Sequence, residues 1–276
     1  MSHKKLQGQV IVLTGASSGI GEQAAYQLAD QGAHLCLLAR REDELRRVQQ
    51  AIAQRGGRAQ IYPVDLSDKA GIDACADKLL ADHVRIDVLV NNAGRSIRRP
   101  ITEALDRLHD YERTIQLNYL GAVQLTLRLL PRFIAQQAGQ VVNISTMSTQ
   151  VPIPLFSAYL SSKSALESFT RSLAVELGGQ GIAATTVYFP MVRTPMSSRT
   201  AIYQHMPMMD MATAAHWIVR AIETRGARIT SPAGLLGSLV LTALPGPMIR
   251  VTRPLFALMD KRLSRKLRAD QDKSVP

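Results

Sequence analysis

Two cysteines in 276 residues, Cys36 and Cys75, exclude a disulfide framework. Cys36 lies in an apolar run and Cys75 in a helical pattern, neither beside a ligand-like neighbour in sequence, so no metal is expected. Neither follows the pattern of a thiol nucleophile, which disfavours a covalent thioester on the protein. Thiols that stay reduced point to the cytoplasm. The N-terminal Met-Ser-His-Lys-Lys-Leu has no apolar signal region. There is no low-complexity run, no solenoid-type repeat and no shift of composition before residue 230 that would mark a second domain. Acid is scarce: 22 Asp and Glu against 33 Lys and Arg leave a net charge of +11. That balance suits an anionic partner such as nucleic acid, an acidic membrane surface, or a phosphate-bearing cofactor or substrate.

Hydrophobic residues make up 46%, enough for a substantial core. Apolar strand patterns at 9–14, 33–38, 58–63, 86–90, 140–144 and 182–188 alternate with helical patterns at 22–31, 42–55, 69–82, 105–134, 158–177 and 211–224. Alternation at this period predicts an α/β fold, a doubly wound parallel sheet with helices on both faces. Residues 1–230 are expected to form that domain, and 231–276 an apolar and basic extension.

The first strand runs into Gly15-Ala-Ser-Ser-Gly19-Ile20-Gly21 and then a helix. Strand, glycine turn and helix bring backbone amides and a helix N-terminus to a phosphate, although the spacing is not G-x-G-x-x-G. A tight strand-to-helix turn would carry the same glycines. The second strand ends in Ala39-Arg40-Arg41, where a carboxylate would accept bonds from the ribose hydroxyls of NAD. A guanidinium there suits a 2′-phosphate, which favours NADP; the bland alternative is that the pair solvates the following helix. Tyr159 and Lys163, four apart on a helical pattern, share one face. An ammonium beside a phenol favours the phenolate and makes a candidate general acid/base.

Thr14-Gly15-Ala-Ser-Ser-Gly19-Ile20-Gly21, Asp65-Leu66, Asn91-Asn92-Ala93-Gly94, Asn118 and Tyr159-x-x-x-Lys163 together resemble the short-chain dehydrogenase/reductase family over residues 7–230. The resemblance implies a Rossmann-like fold with about seven parallel strands, a nicotinamide cofactor and often a homo-oligomer. It also implies roles: Tyr159 as proton donor to a substrate oxygen, Lys163 holding the nicotinamide ribose and tuning Tyr159, and Asn118 anchoring a water in the proton relay. The bland reading of Asn118 is a buried helix asparagine bonded to backbone. By the same resemblance the cofactor meets Gly15, Ser17, Ser18, Gly19, Ile20 and Gly21, Arg40, Asp65 and Leu66, Asn92, Ala93 and Gly94, Tyr159 and Lys163, and Pro190, Val192 and Thr194. Asp65 would border the adenine; otherwise it is a helix N-cap before Lys69.

Two positions depart from the family pattern. Thr146 stands where a serine is usual, thirteen residues before the tyrosine, next to Ser145; spacing favours Thr146 for the carbonyl contact. Met191 replaces the glycine after Pro190. Residues 91–99, 106–119 and 192–196 are more particularly similar to bacterial fatty acyl-CoA reductases of the short-chain type, which use NADPH. The expected reaction is reduction of a long-chain apolar carbonyl substrate, acyl-CoA above others. The alternatives are a ketoreductase for a steroid-like or other bulky substrate, and a non-catalytic NADP-binding regulatory protein. No nucleic acid is expected.

Met196, Met206, Met208, Met209 and Met211 could line a pocket for a long featureless chain, or simply fill core. Arg95, Arg98 and Arg99 could meet CoA phosphates, or be a solvated loop face. From Ile229 to Ile249 there is no charge, but Pro232, Pro245 and Pro247 break any span. Leu235–Leu244 is expected to cap the pocket or bury against a partner subunit. Val251–Arg268, apolar then basic, is the stretch that could touch a membrane surface, or else be a solvated basic tail.

Overall fold

The computed structural model describes residues 5–151, 153–195, 197, 207–254 and 257. In chain order the elements are β1 (Val10–Thr14), α1 (Gly19–Asp30), β2 (His34–Ala39), α2 (Glu42–Gln54), β3 (Arg58–Pro63), α3 (Lys69–Asp82), β4 (Val88–Asn91), α4 (Leu108–Ile115), α5 (Gly121–Gln136), β5 (Gly139–Thr146), α6 (Ser157–Leu177), β6 (Ile182–Phe189), α7 (Met211–Thr224), β7 (Arg228–Ile229) and α8 (Pro232–Ala243). A further helix, α9, spans Pro245–Pro254. The seven strands form one sheet in the order β3-β2-β1-β4-β5-β6-β7, every pair parallel.

Alternation along each strand builds two cores. Ile11 and Leu13 of β1 and Leu35 and Leu37 of β2 face α1, α2 and α7, while Val12, Cys36 and Leu38 face α3, α5 and α6. Helices fit the same logic: α2 buries Leu45, Val48 and Ile52 at helical spacing and leaves its charged residues outside. The chain reverses its direction of travel across the sheet between β1 and β4, so the crevice outside their C-terminal ends is the expected binding place in a doubly wound fold.

The helix expected over 105–134 is not continuous. A 3₁₀ turn (Ile101–Glu103) precedes α4, and a π-helical turn (Gln116–Leu120) separates α4 from α5. At that turn the Gly121 N–H reaches back five residues to the Gln116 carbonyl. Backbone angles stay helical through it, so hydrophobic periodicity gives no warning. Such turns accommodate one extra residue and are frequent at functional sites; this one contains Asn118.

Cys36 does have a neighbour, though a distant one in sequence. His83 Nε2 lies 3.2 Å from its sulfur and 2.9 Å from the Tyr62 hydroxyl. Burial pushes the Cys36 thiol up to about 12, which makes it an inert packed thiol.

A polar ladder crosses the second core. Asn91 Nδ2 donates to Asn143 Oδ1 at 2.8 Å and to Thr126 Oγ1 at 3.1 Å, and Asn143 Nδ2 donates to Thr170 Oγ1 at 2.8 Å. It ties β4 and β5 to α5 and α6, beneath the strand ends that carry the site. Asn143→Leu keeps the volume but orphans a buried donor on Asn91 and removes the Thr170 contact. It should cost about 2–4 kcal/mol of stability in urea unfolding; an unchanged midpoint would show that the ladder does not hold these elements.

Candidate active site

A cleft of about 1770 Å³ opens over the C-terminal ends of the strands. It exceeds the roughly 300–1,000 Å³ of ordinary small-molecule pockets, so it has space for an extended cofactor beside a second large ligand.

Its floor is the glycine loop. Thr14 Oγ1 accepts from the Asn92 and Ala93 N–H groups at 2.9 and 3.0 Å, and Asn92 Nδ2 donates to the Thr14 carbonyl at 2.9 Å. These bonds press the loop after β1 against the turn after β4. Gly15 has φ +68°, and a Cβ there would sit 2.9 Å from the Ala93 Cα, so no larger residue fits. Ser18 caps α1 without a side-chain bond, and Ser18, Gly19, Ile20 and Gly21 line the cleft. The first amides of α1 are thus available to an anion. The fit to a dinucleotide phosphate is good on this ground: a closely packed glycine cradle and a helix start without a side-chain cap, with the first-turn carboxylate, Glu22, taken up by Arg47.

Arg40 and Arg41 enter the cleft at the end of β2. Arg40 is largely exposed and stands 3.8 Å from the Asp65 carboxylate, a loose pair. Asp65 accepts from the Ser67 N–H, whereas the N-cap of α3 is Asp68, which accepts from the Ala70 N–H. Asp65 therefore stays at the cleft wall with Leu66 and is not the helix cap. Arg47, also in the wall, is clamped by both oxygens of Glu22 and by Glu44. That pairing holds the Glu22 carboxyl below its ordinary range and connects residues on two different helices, so no local sequence signal announces it.

Tyr159 and Lys163 on α6 line the cleft together with Thr146 at the end of β5. Lys163 is only 3% exposed, and its ammonium donates to the Ile144 carbonyl at 2.7 Å. Burial lowers its pKa to about 8, with the charge of Glu167 acting in the opposite direction. Glu167, one turn further along α6, accepts from the Ser145 hydroxyl and from Tyr188 OH. Ser145 is thereby committed to Glu167. Thr146 Oγ1 accepts from the Ser148 N–H at 3.2 Å, its hydroxyl placed at the rim of the strand. Sequence spacing preferred Thr146; Glu167, which occupies Ser145, was missed, though it continues the four-residue spacing of Tyr159 and Lys163.

Asn118 is bound to backbone, as its bland reading supposed. Oδ1 accepts from the Arg95 N–H at 2.8 Å, and Nδ2 donates to the Arg95 carbonyl and to Ser162 Oγ, both at 2.9 Å. The asparagine thus pins the strand exit after Gly94 to α6. A Cβ on Gly94 would lie 3.2 Å from Asn118 Oδ1 and 3.4 Å from Lys163 Nζ, so these groups surround one spot. Across the cleft, Thr194 stands 3.9 Å from where a Gly19 Cβ would be, and its N–H donates to Ser197 Oγ. Pro190, Met191 and Val192 line the same wall, and Met191 is held by its carbonyl accepting from the Met209 N–H.

Not every expected residue arrives. Arg95 and Arg98 line the cleft, but Arg99 does not: its guanidinium donates to the buried Asp110, which Arg107 also binds. Met209 and Met211 pack partly on the first core, and Met211 also reaches the cleft. Met196 and Met206 lie outside the described residues. Leu235–Leu244 does not cap the pocket; Ile249, Thr252 and Arg253 of α9 are the nearer lining.

A family model described as short chain dehydrogenase matches residues 9–203. The chain belongs to the short-chain dehydrogenase family. It is 45% identical over 88% of its length to a fatty acyl-CoA reductase of Acinetobacter baylyi, covering 82% of that protein. A fatty acyl-CoA reductase of Mycobacterium tuberculosis is 44% identical over 81% of this chain and 76% of its own. Among solved structures, an NAD(P)-dependent gluconate 5-dehydrogenase described from Beutenbergia cavernae, with NADP bound at low occupancy, superposes with a TM-score of 0.76 at 27% identity, covering 87% of this chain and all of that one. As a member of this short-chain dehydrogenase family the chain is an oxidoreductase.

The buried lysine has a measurable cost. Its native pKa lies below the ordinary 10.5, so between about pH 8 and 10.5 the unfolded chain binds more protons than the folded one. Stability contributed by this group therefore rises with pH through that window. Lys163→Met should lack that rise and be more stable near neutrality, by on the order of 3 kcal/mol at most. Parallel pH dependences of urea midpoints in the two proteins would contradict the burial cost.

Proposed function

We propose that this chain reduces the carbonyl of a long-chain apolar substrate with NADPH, and that the substrate is a fatty acyl-CoA converted to its aldehyde. The observation that carries the reading is the convergence of Tyr159, the buried Lys163 and Thr146 in a cleft large enough for cofactor and acyl chain together. The names of the Acinetobacter and Mycobacterium relatives support the thioester.

Bound NADPH would supply the hydride. The glycine loop and the start of α1 would hold its pyrophosphate, Arg40 its 2′-phosphate, Asp65 and Leu66 would border its adenine, and Thr194 would meet its other end. Thr146 donates a hydrogen bond to the substrate carbonyl oxygen. Tyr159 gives that oxygen its proton as the carbon is reduced, and the Lys163 ammonium favours the phenolate left behind. Collapse of the resulting hemithioacetal breaks the carbon–sulfur bond, releasing the CoA thiol and the aldehyde. Asn118 holds Arg95 and Gly94 in place beside this group. Arg95 and Arg98 would meet CoA phosphates at the cleft edge. Leu120 at the end of the π-helical turn and Leu127 and Ile134 of α5, seven residues apart and 40%, 52% and 41% exposed, offer a stripe to a second copy of the chain. The enzyme would work in the cytoplasm at the edge of a lipid surface.

A screen of acyl-CoAs, fatty aldehydes and bulky ketones with NADPH tests the substrate: turnover should be best with long acyl-CoAs. Selective turnover of ketones would replace this reading. Tyr159→Phe should abolish turnover while NADPH still binds, because only the transferable proton is removed; near wild-type rates would end the mechanism. Arg40→Ala should raise the apparent KM for NADPH by about tenfold and leave that for NADH nearly unmoved. Equal effects on both would remove the 2′-phosphate contact.

A further inference from the structure

The last described helices form a bent apolar pair. α8 begins with Ser231, whose hydroxyl accepts from the Gly234 N–H. One face of α8 is seated on the turn that follows Thr146. A Cβ on Gly234 would lie 2.7 Å from Gln150 Oε1 and 3.1 Å from Met147 Cε, and one on Gly237 would lie 2.9 Å from Val151 Cγ1. The opposite face is bare: Leu235, Leu236, Leu239 and Val240 are 44%, 64%, 60% and 37% exposed. The chain then turns by 118° into α9, where Leu244 before it and Ile249 and Val251 within it are 54%, 51% and 71% exposed.

No charged residue interrupts Ile229–Ile249, whereas residues 250–276 carry eight Lys and Arg against three Asp. Of that basic stretch Arg250 and Arg253 are described; Lys261–Arg268 lies outside the described residues. The twelve residues of α8 extend about 18 Å, and those of α9 less, against about 30 Å of bilayer hydrocarbon. No single helix among the described residues is long and apolar enough to cross a membrane. Uncharged leucines beside arginines suit partial burial at an anionic headgroup boundary, about 5–10 Å deep. Net positive charge on the whole chain acts in the same sense.

We infer that the α8–α9 pair is a lipid-docking surface that lays the mouth of the cleft on an anionic bilayer. Ile249, Thr252 and Arg253 of α9 line the cleft itself, so the docked face and the substrate entrance are continuous. A long-chain ligand could then pass from bilayer to cleft along apolar surface. The inference rests on the long-chain substrate reading for its purpose, but not for its geometry. Of the two expectations for Leu235–Leu244, the cap is not found: the segment does not line the cleft, and Leu235, Leu236, Leu239 and Leu244 are exposed within this chain. Charge complementarity favours lipid over a second copy of the chain, for which α5 already presents a separate stripe.

The test is flotation of the full chain with vesicles of phosphatidylcholine and phosphatidylglycerol, beside the double variant Leu236→Glu, Leu239→Glu. Both leucines are exposed, so the fold should survive, as turnover of a short water-soluble acyl-CoA at the wild-type rate would verify. Vesicle binding should weaken at least about tenfold in the variant and fall with added salt in the wild type. Equal flotation of both proteins, or none by the wild type, overturns the inference. So does a variant that loses mass in sedimentation while neither protein meets vesicles, because the face would then be an interface between copies. Vesicle-bound wild type that turns over no acyl-CoA would sink the substrate reading and leave the docking surface standing.

Discussion

An ammonium group shut away from water, bonded to one carbonyl and facing one carboxylate, is the constraint on which the site depends. Lys163 donates to Ile144 at the end of β5, and Glu167 takes the hydroxyls of Ser145 and Tyr188 from β5 and β6. The helix that carries both charges is thereby fixed against two strand ends. Burial works against the charge on Lys163 and Glu167 works for it. The balance leaves a lysine that titrates far closer to neutrality than an exposed one, next to a tyrosine one turn away. Proton exchange near neutral pH needs that proximity in pKa as well as in space.

The rest of the fold can be read as what holds this arrangement. The asparagine and threonine ladder below the strand ends locks β4 and β5 to α5 and α6. The π-helical turn presents Asn118 to the backbone of Arg95, which brings the exit of β4 to the start of α6. On the other side of the switch point, the glycine loop is pressed against the same exit by Thr14 and Asn92. The glycine loop on one side and the proposed proton donor, Tyr159, on the other thus share a single structural joint at Asn92–Arg95.

Much of this was legible in the sequence, for a physical reason. Strand and helix periods differ, so β3, α3 and α7 could be read to their end residues, and the doubly wound order followed from alternation. Gly15 and Gly21 declare themselves because close backbone approach tolerates nothing else there, and Gly19 because its φ of +62° favours glycine. What stayed hidden depends on contacts between distant residues. The π turn at Gln116–Leu120 preserves helical periodicity and so leaves no trace in the pattern. Arg99 read as a free basic residue because its partner, Asp110, is brought to it by the loop fold. Cys36 read as isolated because His83 comes from the end of α3. For Leu235–Leu244, largely exposed within this chain, hydrophobicity tells how strongly a segment avoids water, and not what covers it.

If the buried charge is the central device, it should be visible directly, without any substrate. Heteronuclear NMR of the lysine ε-methylene signals, with Lys163→Arg used to assign the resonance, reports its titration in the folded protein. The account predicts a midpoint near pH 8 for Lys163, moving lower in Glu167→Gln because the opposing carboxylate charge is gone. A midpoint near the ordinary 10.5, or one unmoved by loss of the Glu167 charge, would contradict it.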